Sequence, residues 1–516
     1  MNKNIVIIII TLFFPFLINA QDLADALRYS NIHVSGTARA GGMGNAFGAL
    51  GGDFTSVSIN PAGLGLYRAG EFVVTPKFTN NSVEGNYMNT SMEESKYNFA
   101  LNNISYVTTF STQARSEAGL INVNLGIGYN RLKDFNSNFL AGAGGVESSF
   151  LDDFIENANG EDPNAGWSEF YEELAYYNPE TETGADLIYY DEEAGLWRSD
   201  IQINPFDENI NNYEHAQRKS MSRQGAIDEY SFAVGLNFNH KFYLGASLGV
   251  TDIYYKETST FEEWDEAGSI PKFESMQFDS YLKTTGTGYN FKFGVIYKPI
   301  NEIRLGASIH TPTFYNLHDF FHTSMYSYNI FEEYGPINDE AHSPYLNYDY
   351  DLETPLRATF SGAAVIAKKG LISIDYEYVD YGSSKLRRGG DGYNFTDENA
   401  DISDAYKSVG NIRIGGELRT TDALTLRAGY EYYPSAYKSE SLGSTQPKAD
   451  DKFMVYSAGL GYRIGSFTFD VAYRLSDKEE FELPYAAPYA SYYPKPSPIA
   501  FNTTNHDVLF TLGFKF

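Results

Sequence analysis

From residue 71 onward the chain alternates apolar with polar residues, in one short segment after another. Two-residue periodicity puts successive side chains on opposite faces of a strand. In the last segment Val508, Phe510, Leu512, Phe514 and Phe516 share one face, and Leu509, Thr511, Gly513 and Lys515 the other. Phe467, Phe469, Val471, Tyr473 and Leu475 oppose Thr468, Asp470, Ala472 and Arg474 in the same way. Ile121, Val123, Leu125, Ile127 and Tyr129 oppose Asn122, Asn124, Gly126, Gly128 and Asn130. A soluble sandwich also alternates, so three further observations are needed. Full charges sit on the polar face (Arg304, Arg357, Arg413, Glu417, Arg474), which suits a polar lumen inside a lipid-facing wall. Tyr and Phe recur at segment ends, as in the aromatic girdles of membrane barrels. The connections also alternate in length.

Fourteen segments are expected, near 71–80, 98–110, 119–133, 229–239, 241–262, 275–298, 301–322, 349–369, 370–382, 408–420, 423–434, 452–464, 466–481 and 504–516. Links after even segments are short, as at Asn239-His240 and Ile464-Gly465, and links after odd ones are long and acidic. Short periplasmic turns with long external loops are the outer-membrane plan. The expected fold is an all-β, fourteen-stranded antiparallel transmembrane barrel over 71–516, in the outer membrane and among its lipids.

Residues 1–20 read as a secretory signal, with Lys3, the apolar run Ile5–Phe14, and Ala20 before the cleavage point. The 516 residues include no cysteine, which excludes disulfides, thiol catalysis and a lipoprotein anchor. The formal charge of −29 argues against nucleic-acid binding, which needs clustered Lys and Arg. Residues 147–228 hold 20 acids and 4 bases, so −16 of that charge belongs to this stretch, most of the long 134–228 loop. Within it Trp167, Phe170, Tyr171 and Leu174 recur at helical spacing. They either pack on the barrel rim or form one wall of an external ligand groove.

Residues 35–67 do not alternate and are rich in Gly, Ala and Ser. Small residues permit close packing and turns barred to others, as a plug folded within a barrel requires. The hatch segment is taken as 21–70. Gly41, Gly42 and Gly44 lack the spacing of a phosphate loop.

The Gly/Ala-rich run with Gly41, Gly42 and Gly44, then Asp53, then Asn60-Pro61-Ala62 just before the first strand resembles the FadL family of outer-membrane transporters for long-chain fatty acids and other hydrophobic compounds. Resemblance continues weakly at Arg304–Pro312. It implies a hatch inside a fourteen-stranded barrel, a hydrophobic small-molecule ligand, and passive transport. Ligand would pass from an external groove to a lumen pocket, and then sideways through a gap by a kinked third strand. Gly126 and Gly128 are the candidates for that kink, because strand glycines mark bends. Phe514 and Phe516 look like the signal read by the barrel assembly machinery.

Other chemistry is expected to be absent. His318 and His322 share a strand face but have no third ligand within reach. Asp391, Asn394, Asp397, Glu398, Asn399 and Asp401 miss the EF-hand spacing. No nucleophile motif occurs. Neither cofactor, metal site nor enzyme activity is expected. Hydrophobic import is the leading function. A subunit of a larger outer-membrane secretion or assembly machine is the alternative, with the acidic loop and Pro484–Tyr489 for partner docking; a haem receptor is a weaker one.

Overall fold

A computed structural model describes residues 23–112, 119–160, 167–178, 183–201, 215–367, 369–438, 452–486 and 494–516. The expected signal at 1–20 and part of the 484–489 run lie outside the described residues.

Fourteen wall strands close into a barrel in which every neighbour is antiparallel. They are β1 (Glu71–Tyr87), β2 (Thr90–Ser111), β3 (Leu120–Asp134, continued by Ser137–Val146), β4 (His215–Phe238), β5 (Phe242–Trp264), β6 (Phe273–Tyr297) and β7 (Ile303–His310, continued by Phe314–Phe331). The ring goes on through β8 (Leu346–Glu353, continued by Arg357–Ile366), β9 (Gly370–Asp380), β10 (Ser408–Arg419), β11 (Leu424–Tyr433), β12 (Phe453–Ile464), β13 (Phe467–Glu482) and β14 (Ile499–Lys515). β1 pairs with β14 from Glu71↔Lys515 to Tyr87↔Ile499, which leaves no free edge. The outward face is apolar and exposed, as at Phe360, Ile372, Leu426, Phe469 and Phe510, while Asp375, Arg413, Glu431 and Arg474 on the inner face are buried.

Three expectations about boundaries are corrected. Residues 81–97 are not a long loop, because β1 and β2 pair on through Tyr87↔Thr90 to a tight turn. The same holds for the 134–228 stretch, whose ends pair as strand over Ser137–Val146 and His215–Arg223. Thirdly, 301–322 and 349–369 are not single runs. They break at Pro312 and Pro355, whose missing N–H cannot join a ladder.

The described residues between Val146 and His215 form a cap. It contains the helix Leu151–Gly160 and the short helix Glu172–Ala175, and a small hairpin pairs Tyr189–Asp191 with Leu196–Arg198.

Candidate functional site

Preceding the barrel, residues 23–70 fill its interior, beginning with a helix (Leu23–Ser30) above a compact hatch. The hatch holds its shape through side chains that cap its short turns. Thr37 accepts from the Ala40 N–H to start the helical turn Ala38–Gly41. Asp53 Oδ1 accepts from the Thr55 N–H (2.9 Å) while its Oδ2 takes the Thr37 hydroxyl proton (2.7 Å). Asn60 Oδ1 accepts from the Ala62 N–H (3.1 Å), with Pro61 opening the turn where no N–H is needed. The Asn60 amide donates to the Gly48 carbonyl (2.7 Å) and reaches the β6 wall at the Val295 carbonyl (3.2 Å). Asn60 thus joins two hatch turns to each other and to the barrel.

Close approach explains the glycines. At Gly44 the backbone is left-handed (φ +56°), and a Cβ would strike the β11 backbone at Tyr430. Facing it, Gly415 and Gly429 on the wall meet Met43 and Gly44, while Gly42 lies against Gly459. On the opposite side Gly245 meets Pro61 and Ala62, and Gly294 meets Asn60. Backbone lies on backbone, leaving no path along these contacts.

Polar wall groups then satisfy hatch carbonyls. Asn122 and Asn124 donate to the Tyr67 and Leu64 carbonyls (2.9 and 2.7 Å), and the Ser308 hydroxyl donates to that of Ile59 (2.7 Å). Arg39 donates to Glu417 (3.3 Å), which Arg427 also binds (2.7 Å). Arg474 and the Asn45 amide share Glu431 (2.8 and 3.1 Å). Buried charges are tolerated only when paired in this way.

Above this polar layer the lumen changes character. Around the helix Leu23–Ser30 stand Phe135, Ile227, Ile253, Tyr255, Leu317, Tyr350, Leu352, Phe395 and Tyr406, all buried in one cluster with Ala26, Leu27 and Tyr29. Arg28 lies 4.5 Å from the Tyr255 ring, and the Tyr406 hydroxyl donates to the Leu23 carbonyl (2.8 Å). With the helix in place, a cavity of about 40 Å³ is left between Tyr29, Lys292, His310 and Arg357. That is room for about one water molecule.

Gly126 and Gly128 face inward, and no register shift falls at either. The irregularities in the β3–β4 ladder fall at Leu120/Asn122 and Arg131/Lys133. The glycines make room for the hatch residue Phe54. Two residues beyond Gly128, the β2–β3 ladder stops at Asn103↔Asn130. From there Thr90–Leu101 of β2 is in ladder with β1 alone, while β3 continues against β4.

Trp167, Phe170, Tyr171 and Leu174 do not share one helix, since the helix Glu172–Ala175 begins after Tyr171. Trp167 packs within the cap on Trp197 (4.5 Å), while Phe170 and Tyr171 pack onto the barrel wall at Phe321 of β7 (5.6 Å) and Phe278 of β6 (5.8 Å), with Leu174 buried. At the start of the helix Leu151–Gly160 the Asp152 carboxylate accepts from the Ser149 N–H (2.9 Å). Burial pushes that carboxyl up to about 7, and Glu263 adds to the rise against the Ser149 bond.

Phe514 and Phe516 are exposed on the outer wall beside Tyr106. His318 and His322 lie on the outward face of β7, one bonded to Asp349 (2.7 Å) and the other stacked on Tyr281 (5.1 Å). Asp397, Glu398, Asn399 and Asp401 fall on the helix Thr396–Ala405, where Asn399 exchanges two bonds with the Leu386 backbone. No group of three or more metal-ligating side chains assembles among the described residues.

A family model described as "Outer membrane protein transport protein (OMPP1/FadL/TodX)" matches residues 217–516. The chain belongs to this family. It is an outer-membrane β-barrel of the FadL/TodX type, a family of transport proteins rather than enzymes. Its fold is that of a Pseudomonas aeruginosa FadL homologue (12% identity, 94% of this chain and 98% of that one, TM-score 0.53). The Pseudomonas putida toluene transporter TodX is similar too (12% identity, 94% and 99% coverage, TM-score 0.50). No curated protein matches the chain by sequence.

Proposed function

We propose that this FadL-family barrel transports hydrophobic small molecules passively, with residues 23–70 as its gate. One observation carries the reading. Above a hatch held by paired charges such as Arg39–Glu417 and Arg474–Glu431, the lumen is apolar and aromatic, and the helix Leu23–Ser30 occupies that space. An apolar ligand entering that chamber replaces the helix's contacts with its own. Each CH₂ buried there contributes about 0.8 kcal/mol. The ligand class spans long-chain fatty acids and, by likeness to the toluene transporter TodX, small aromatic compounds such as toluene.

Exit through the wall is the second part of the proposal. Where the β2–β3 ladder stops, exposed Leu101, Phe99 and Tyr97 face outward on β2. Among the described residues the bonds across that seam are made by side chains, such as Lys96 to Asn138 (3.2 Å) and Asn98 to Asp134 (3.0 Å). An apolar ligand leaving there stays in hydrocarbon instead of entering water.

Cells carrying Tyr29→Ala, which trims the helix from the chamber, test the gate. Faster uptake of a labelled fatty acid or of toluene than in cells with the wild-type barrel is expected. Uptake of both at the wild-type rate, with the helix shown to be detached by hydrogen exchange, contradicts it.

A further inference from the structure

On the outward face of β4 to β7, above the apolar belt, two lysines are placed against the charge logic of the chain. The belt ends in a cross-strand row of Tyr230, Val250, Tyr289 and Phe314, all exposed. Counting upward by twos from Val250 and Tyr289 keeps to the same face and reaches Tyr254 opposite Thr285, then Lys256 opposite Lys283. Like charges directly opposite each other destabilise a sheet. Neither ammonium forms an ion pair among the described residues. The nearest carboxylates along these two strands on this face, Asp252 and Asp279, are four residues away, about 13 Å along the strand, and Glu262 beyond them is paired with Arg218 (2.6 Å). Asp279 is already bonded to Thr260 (2.7 Å) and Gln277 (2.9 Å). Elsewhere this outer rim carries acids, as at Glu84, Glu93 and Asp477.

The two side chains are held in crossed positions. Lys256 Nζ lies 5.3 Å from the ring of Tyr281, and Lys283 Nζ lies 5.9 Å from that of Tyr254. Beside them Tyr281 stacks on His322 (5.1 Å), and Phe320, directly opposite Lys283, stacks on Tyr345 (5.4 Å). The Tyr345 ring is 70% exposed. Two cations bracketed by aromatic planes, in a chain of charge −29, complement an anion carried on a ring-bearing, partly apolar group.

We propose that Lys256 and Lys283 clamp a phosphate of an outer-leaflet glycolipid, with Tyr281 and Tyr345 against its sugar rings. Height selects the occupant. Six residues along a tilted strand place the lysines about 15 Å above the belt row, where sugar-borne phosphates of a glycolipid stand and a bare phospholipid headgroup does not reach. The face points away from the lumen, so it receives membrane components and not transported cargo. A bound phosphate turns the repulsion between the lysines into shared attraction, and ties the barrel to its lipid neighbours.

The test uses the full-length protein in non-ionic detergent, titrated with bisphosphorylated lipopolysaccharide and with the same glycolipid after phosphatase treatment. The double variant Lys256→Gln/Lys283→Gln should bind the phosphorylated form roughly thirtyfold more weakly than wild type. Lys256→Arg/Lys283→Arg should retain binding, and the dephosphorylated glycolipid should bind wild type as weakly as it binds the double-Gln protein. Heat-modified electrophoretic mobility verifies that each variant is folded. Equal binding by wild type and the double-Gln variant overturns the proposal. So does inorganic phosphate displacing the glycolipid at equal concentration, which would make this a site for the free anion.

Discussion

Phe54 of the hatch occupies the space that Gly128 leaves on the inner face of β3: a Cβ built on Gly128 would lie 2.6 Å from the ring's Cζ. Hatch and wall are therefore fitted to each other at this point. Gly128→Val should push Phe54 out at a cost of about 1–3 kcal/mol. The expected outcome is a lower unfolding temperature together with faster entry of a small apolar dye. An unchanged melting profile and unchanged entry would mean that the hatch can shift aside freely there.

Asn60 supplies the other firm join. Removing its amide in Asn60→Ala leaves the buried Gly48 carbonyl without its 2.7 Å donor, costing about 1–3 kcal/mol. The barrel ladders do not depend on it, so strand content by circular dichroism should hold. Hydrogen exchange at Ala62 and Gly63 should quicken. Exchange as slow as in wild type would show that the glycine contacts alone hold this turn.

The cap should respond to pH through Asp152. An unfolded carboxyl loses its proton near pH 4 (~3.9), whereas in the fold Asp152 keeps its proton up to about 7. Between those values the folded state binds more protons, so cap stability is highest in acid. It falls as pH rises across that window and is flat above it. Asp153, raised by burial to about 6, acts in the same direction. The groups facing Asp152 are Glu263, His215 and Asp153. Protection factors of residues 151–160, taken relative to the base-catalysed intrinsic exchange rate at each pH, should be lower at pH 8 than at pH 5, and Asp152→Asn should flatten most of the difference. Equal protection at both pH values in wild type would refute this.

Much of this architecture was legible in the chain because a barrel wall has an apolar and a polar side. Alternation such as Phe467 to Leu475 follows directly from that, and so did the count of fourteen. Alternation fades where both faces meet water, which is why the β1–β2 extension over 81–97 read as loop. Hydrophobicity alone did not mark the breaks at Pro312 and Pro355, although proline itself carried that signal. The hatch was visible as a run of small residues. Its partners were not, because Phe54 meeting Gly128, or Arg39 meeting Glu417, depends on which strands the ring brings together. Leu23, Ala26, Leu27 and Ser30 do show helical spacing, and that was the available sign of the helix in the chamber. Trp167 to Leu174 carried the same kind of sign, and there it marked a buried cap and not one helical face.

The central claim is that the chamber around the helix Leu23–Ser30 receives apolar molecules. Mass spectrometry of small molecules extracted from the protein, purified in mild detergent from its own outer membrane, tests this most directly. Fatty acids or other apolar compounds should be enriched over an unrelated barrel purified alongside, and more so in Tyr29→Ala. No enrichment in either protein, with stoichiometric protein companions in their place, would contradict the transport account and point to a subunit of a larger assembly.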